Sequence, residues 1–304
     1  MASSPVHEPV LLDEVVEYLH VVPGGSYIDC TAGAGGHTAK IAQLAAPDGN
    51  VIACDSDNCI LELARARLKA LEEQQGKLAR TRFVHSSYVR ISDLCNLLPT
   101  GKPDGILFDF GCSSLQLDDP ERGFSFRYDA PLDMRFDKQG PAKTAADVIA
   151  TLSEMELADV FYRYGDERRS QAVARRIVEE RRKKPIRTTK ELKDIVESVT
   201  GRRTGKIAGA TRVFQALRIF VNDELGNIEQ VLPRAQRALK EGGRIVAITF
   251  HSTEDRIVKQ FFKGLEVKGE ARLLTKKPVT PKAEELRRNP RARSAKLRAI
   301  RKDI

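Results

Sequence analysis

Short, continuous apolar runs punctuate the first third of the chain, and each is followed by a stretch whose apolar positions recur every three or four residues. The runs Ser26–Asp29, Val51–Asp55, Arg82–His85 and Asp104–Asp109, with Arg244–Phe250 much later, predict buried strands. Val10–Leu19, His37–Leu44, Asn58–Leu71 and Tyr88–Leu98 predict the helices around them. Strands alternating with helices build a parallel sheet covered on both faces, so the fold class is α/β.

The fifth strand begins 135 positions after the fourth ends, far more than a crossover helix needs. The segment has its own helical periodicity. Thr144–Thr151 reads as a helix, and Ser153 with Glu156 forms a capping box that opens Met155–Tyr164. Ser170–Lys184 places Ala172, Val173, Ile177 and Val178 on one face, and Thr189 is the expected cap of Lys190–Val199. An all-helical subdomain over 138–210 is therefore expected to interrupt a sheet domain made of 1–137 and 211–304. Thr211–Val221 and Glu224–Leu239 lead back to the sheet, and Thr253–Phe262 follows its last parallel strand. The end of the chain reads as a terminal hairpin and a basic tail whose Leu and Ile residues let it dock or form an edge strand.

Composition narrows the class. Of 304 residues, 41% are hydrophobic and 31% charged, as in soluble globular proteins. No apolar run is long enough to span a bilayer, and MASSPVHEPV lacks a secretory core, so a cytoplasmic protein without a membrane partner is expected. The five cysteines are odd in number and include no CxxC pair, which argues for reduced thiols and against a disulfide framework or a metal site.

The net charge of +9 is unevenly spread. Residues 268–304 hold 13 Lys/Arg against 4 Asp/Glu, and residues 163–206 hold 15 against 7. The remaining chain therefore carries −8. Two basic segments on an acidic body favour a polyanionic partner, nucleic acid above all.

The segment YIDCTAGAGGHTAK, from Tyr27 to Lys40, joins a strand to a helix through a loop that lets a ligand approach the main chain. A dinucleotide fingerprint would need glycine where Thr38 stands, and a P-loop lysine is absent. Asp55, ending the second strand, is placed to accept both hydroxyls of a ribose, while Asp57 competes for the role of helix cap. Asp29, Gly33, Gly35 and Asp55 thus describe a nucleoside site without a pyrophosphate requirement, and S-adenosylmethionine fits it. Asp109 closes the fourth strand at the edge where open α/β sheets bind ligands. Beyond it, residues 111–137 are irregular and dense in Asp, Arg, Ser and Phe, as functional loops are.

Six segments, HEPVLLDEVVEYL, DCTAGAGGHT, DFGCSSLQLDDPERGFSF with PLDMRFD, ATRVFQALRIFVNDEL, FHSTEDRIVKQFF and NPRARSAKLRAI, resemble the bacterial 16S rRNA cytosine-N4 methyltransferase family from His7 to Ile300. The resemblance implies a class I (Rossmann-like) S-adenosylmethionine-dependent methyltransferase sheet with an inserted helical substrate-recognition subdomain. It implies methylation of the exocyclic N4 of a cytosine near the decoding centre, on 16S rRNA within the small ribosomal subunit. Cofactor contacts carried over are Gly35, Gly36, His37, Asp55, Tyr88, Asp109 and Gln116. Tyr88 stands where the family usually has Phe, and Cys112 where it usually has Val. His37 is equally readable as the first residue of a helix.

Asp109 is the candidate catalytic residue, as polar activator of the amine, helped by Ser113 and the carbonyls of Phe110–Cys112. Arg168, Arg169, Arg175, Arg176, Arg181 and Arg182, with the tail arginines, are the expected rRNA phosphate contacts. A homodimer is left open. The competing readings are a nicotinamide-dependent oxidoreductase and a non-catalytic RNA-binding or assembly factor.

Overall fold

A computed structural model describes residues 9–201 and 208–303. His7 and Glu8 of the first family segment, and residues 202–206 of the first basic segment, lie outside the described residues. The chain divides into two compact units, one made of Met1–Gly111 with Leu225–Ile304, the other of Cys112–Glu224.

The first unit opens with α1 (Leu12–Leu19), then β1 (Ser26–Asp29), α2 (Gly36–Leu44), β2 (Asn50–Asp55), α3 (Asn58–Gln75), β3 (Arg80–His85), α4 (Ile91–Cys95) and β4 (Gly105–Asp109). Tyr88–Leu98 is not one helix as the periodicity suggests. A single 3-10 turn, Tyr88–Arg90, capped by the Ser87 hydroxyl, precedes α4. The second unit holds α5 (Ser114–Asp118), α6 (Ala145–Thr151), α7 (Glu154–Gly165), α8 (Ser170–Lys183), α9 (Thr189–Thr200) and α10 (Gly209–Val221). α11 (Glu224–Ala238) begins at the boundary, and β5 (Arg244–Thr249), α12 (Ser252–Val267), β6 (Ala271–Leu273), α13 (Ala283–Arg288) and β7 (Lys296–Lys302) complete the chain.

The seven strands run in the order β3-β2-β1-β4-β5-β7-β6. β1 to β5 pair in parallel, and β7 enters antiparallel between β5 and β6. Every residue of β1 is buried, as a strand covered on both faces requires. Successive side chains point to opposite faces. Ile28, Ile106 and Phe108 accordingly join one core with residues of α4, α11 and α12, while Tyr27 and Leu107 join another with residues of α1 and α2. Each such side chain, removed from water, contributes about 1.5–3 kcal/mol. No residue of β3 is fully buried, as suits a strand at the sheet's edge. The carboxyl ends of β1, β2, β4 and β5 thereby meet along one rim.

The tail is neither an edge strand nor a simple hairpin. β7 is hydrogen-bonded on both sides, with Leu297, Ala299 and Ile300 buried. Between it and β6 lie α13 and the 3-10 turn Pro290–Ser294.

In the second unit Leu157, Phe161, Val173, Ile177, Leu192, Val213 and Leu217 form a core of their own. Thr144, Ser153 and Thr188 cap α6, α7 and α9 through capping boxes with Asp147, Glu156 and Glu191. The cap of α9 is therefore Thr188 rather than Thr189. Thr189 is fully buried, where its hydroxyl donates to the Tyr128 carbonyl at 2.7 Å and accepts from Ala130 N at 3.0 Å. The irregular stretch after α5 is fixed in the same way from within. Arg122 donates to the carbonyls of Arg135 and Phe136 at 2.9 Å each. Phe124 stacks on Phe136, and Phe126 meets Phe214 edge-on. These phenylalanines build core rather than an exposed stacking platform.

Candidate active site

The loop after β1 is pinned by carboxylates. Asp29 is wholly buried and accepts from the Thr38 hydroxyl at 2.6 Å and Thr31 N at 3.2 Å. Burial raises its pKa to about 6 against those hydrogen bonds. Asp55 accepts from Gly33 N at 2.8 Å through Oδ2 and from Asp57 N at 2.9 Å through Oδ1. Each oxygen thus keeps lone-pair capacity for a further donor. Asp57 takes the capping role, accepting Cys59 N at 3.1 Å at the start of α3.

The glycines divide their work. Gly33, at φ 52°, has only the Thr31 carbonyl near the space a side chain would fill, at 3.9 Å. Its face is open. At Gly35, φ 78°, a Cβ would lie 2.9 Å from Ala64 on α3, and at Gly36 it would lie 3.0 Å from Pro9. Those two positions are small because chain packs against them.

Asp109 ends β4. Its Oδ1 is shut off from solvent with no hydrogen-bond partner among the described residues, and its Oδ2 lies 3.9 Å from His37 Nδ1, beyond hydrogen-bonding reach. Burial first, then the charges of Asp29 and Glu254, push its pKa up to about 8. His37 is buried in the first turn of α2, and its Nε2 is 2.9 Å from the Val10 carbonyl. A carbonyl only accepts, so Nε2 carries the proton and Nδ1 presents a lone pair toward Asp109. Burial lowers the His37 pKa to about 4, and the ring is neutral. His37 is thus both a helix-start residue and a neighbour of Asp109. Half-buried Tyr88 sets its ring edge-on to Phe108 and Phe110, at centroid distances of 6.1 and 5.8 Å.

Three participants were not singled out from sequence as site residues: Thr31, Thr38 and Glu254. Glu254, in the segment FHSTEDR, is fully buried and accepts from Phe250 N at 2.8 Å and His251 N at 3.2 Å, tying the β5–α12 turn to its helix. Its capping-box spacing from His251 was the available signal.

Gln116 belongs to the second unit. There it is buried, and its Oε1 accepts Ser113 N at 3.0 Å to cap α5. A cofactor role for it rests on the family resemblance alone.

The six arginines of the helical unit are not equivalent. Arg168 and Arg182 are exposed without an ion pair or hydrogen bond among the described residues. Arg175 faces Glu154 at 3.5 Å, and Arg176 is engaged with Glu179 and Glu180. Arg169 donates to the Val199 carbonyl. Arg181 donates to the Ile149 and Leu152 carbonyls at the end of α6, so its guanidinium is spent on the fold. In the tail, Arg298 is buried against Asp255 at 2.7 Å, and Lys302 caps the end of α11 at the carbonyls of Gln236 and Leu239. Arg298 is therefore a structural residue rather than a phosphate contact.

A parallel sheet in this order, with an antiparallel β7 beside β5 and an acidic residue closing each of β1, β2 and β4, is the architecture of the class I, Rossmann-like, S-adenosylmethionine-dependent methyltransferases. Residues 4–303 match the model of the MraW methylase family, and the chain belongs to that family. Among its relatives, the ribosomal RNA small subunit methyltransferase H of Acidobacterium capsulatum is 47% identical over 97% of this chain and 98% of its own. The protein of the same name from Caldicellulosiruptor saccharolyticus is 46% identical, covering 97% and 99%. That from Carboxydothermus hydrogenoformans is 45% identical, covering 97% of each.

Proposed function

We propose that the chain methylates small-subunit ribosomal RNA with S-adenosylmethionine, at the N4 amine of a cytosine, with Asp109 as activator of that amine. The observation that carries the cofactor reading is electrostatic. Asp29, Asp55 and Asp109 all have raised pKa values, and no basic side chain is among the causes that shift them. A rim of carboxylates repels a pyrophosphate and gains from a cation, which favours a sulfonium nucleoside over a dinucleotide. The RNA reading is supported by the named activity of relatives at 45–47% identity and by the exposed arginines of the helical unit.

When bound, S-adenosylmethionine supplies an electrophilic methyl group on a positively charged sulfur. Asp55 accepts the two ribose hydroxyls with the capacity its backbone bonds leave. Gly33 exposes main chain to the ligand, Gly35 and Gly36 set the loop's path, and Tyr88 offers its ring to the adenine. Asp109, mostly protonated at neutral pH by itself, would ionise more readily with a cationic cofactor bound. Its carboxylate would then accept a hydrogen bond from the amine, localise the nitrogen lone pair and take up the proton that the nitrogen gives up in exchange for the methyl group. Cytosine N4 as the acceptor comes from the family resemblance, and an amine whose lone pair is delocalised is the acceptor such a carboxylate suits.

The test is Asp109→Asn. Labelled methyl transfer to small subunits lacking the modification should fall by about 10²-fold or more, with a much smaller loss of calorimetric affinity for S-adenosylmethionine, because one carboxylate of the rim is neutralised. Full turnover in the variant would remove Asp109 from the mechanism, and binding of NAD in place of S-adenosylmethionine would remove the methyltransferase reading.

A further inference from the structure

The end of β4 is held by a side chain where a strand would be expected. β1 and β4 pair in parallel, Asp29 beside Leu107, and Cys30 N donates to the Leu107 carbonyl at 2.9 Å. Phe110 N turns the other way, to the Ile248 carbonyl at 3.0 Å. Alternation along the strand therefore aims Asp109 N back toward β1. β1 has ended by then, because Thr31 N folds onto the Asp29 carboxylate. The Thr31 hydroxyl fills the gap, accepting Asp109 N at 2.6 Å. It is the last rung of the β1–β4 ladder, supplied by a side chain.

Two residues further along the same loop, Gly33 N is bonded to Asp55. The loop is thus fastened on one side to the backbone amide of Asp109 at the end of β4 and on the other to the carboxylate of Asp55 at the end of β2. We infer that Thr31 is a positioning residue for methyl transfer: its hydroxyl fixes the backbone of Asp109 to the cofactor loop, so that amine activator and methyl donor are held as one piece. The inference rests on Asp109 being the activator. Threonine suits the task because its β-branched side chain has restricted χ1 freedom and carries an acceptor; valine keeps the shape and loses the acceptor. A buried amide left without a partner draws the strand end out of register, and misplacement by an ångström is enough to slow chemistry without abolishing binding.

The experiment compares Thr31→Val and Thr31→Ser in the parent and in the Asp109→Asn background. It reads kcat and KM for small subunits and Kd for S-adenosylmethionine. Thr31→Val should lower kcat by about ten- to a hundredfold with cofactor Kd within about threefold, and Thr31→Ser should recover most of the loss. Because Thr31 acts through Asp109, Thr31→Val should cost less than about twofold more in the Asp109→Asn enzyme. Equal fractional losses in both backgrounds, or a loss confined to cofactor Kd, would overturn the inference while leaving the activator reading intact. Full turnover of Asp109→Asn alone would instead sink the activator reading, whatever Thr31→Val does.

Discussion

Asp55 and Asp109 flank Asp29 along one rim, at the ends of β2, β1 and β4. Burial raises both pKa values, but backbone N–H donors from Asp57 and Gly33 hold that of Asp55 to about 6, whereas Asp109 has no such donor on its carboxylate and rises to about 8. Both shifts are upward, so each group stabilises the fold fully below about pH 4. That contribution is lost as pH rises through the folded value, near 6 for Asp55 and 8 for Asp109. The carboxylate form of Asp109 grows over the same range in which the ligand-free protein loses this stability. For the parent, kcat/KM for S-adenosylmethionine should therefore climb about tenfold per pH unit below 8 and level off above, since that ratio reports the enzyme before the cofactor binds. The rising limb should vanish in Asp109→Asn. A parent profile that is flat from about pH 6.5 to 8.5 would refute the assignment.

Among the elements, β7 departs furthest from its reading as a tail. Leu297, Ala299 and Ile300 are enough to place it inside the sheet, and Arg298 follows because strand alternation turns it onto Asp255 in the first turn of α12. The salt bridge lowers the Asp255 pKa despite burial, through hydrogen bonds and charge from Arg298 and Lys296. Removing Arg298 leaves the buried Asp255 with Lys296 as its remaining cation, so Arg298→Ala should destabilise by somewhat less than the ~3–5 kcal/mol of a fully orphaned charge. Denaturant unfolding checks this, and the salt dependence of RNA binding should stay at the parent's slope. A stable variant with a weaker salt slope would return Arg298 to the RNA. Helix starts were more legible. Ser153 with Glu156 and Thr144 with Asp147 sit at the ends of clear periodic runs. The cap of α9 was the exception: Thr189, expected there from sequence, is buried against Tyr128 and Ala130, and its neighbour Thr188 caps the helix.

At the scale of the whole molecule, charge that looks continuous in sequence is sorted by folding into spent and available. Arg181, Arg298 and Lys302 satisfy carbonyls or a carboxylate, while Arg168, Arg175 and Arg182, seven residues apart, are exposed along α8 and its approach. Replacing those three with alanine should reduce the slope of log affinity against log salt for small-subunit RNA by about 2. Calorimetric cofactor affinity should not move. An unchanged slope would show that this helical face is solvated surface only. No helix among the described residues is long and apolar enough to cross a membrane.

The α/β class, the strand positions and the acidic residues at strand ends follow from sequence alone, because period and burial are local properties that alternate with the backbone. The same holds for the loop's failure to match either phosphate motif, which needs only Thr38 and a missing lysine. Tertiary structure decided the rest. It assigned Gly35 to packing against Ala64, showed His37 anchored on Val10, and gave Asp109 N a partner in Thr31, contacts that join residues 27 to 78 positions apart. A hydroxyl or a small residue looks the same in sequence whether it meets solvent, a ligand or another strand, and only the folded neighbours distinguish them.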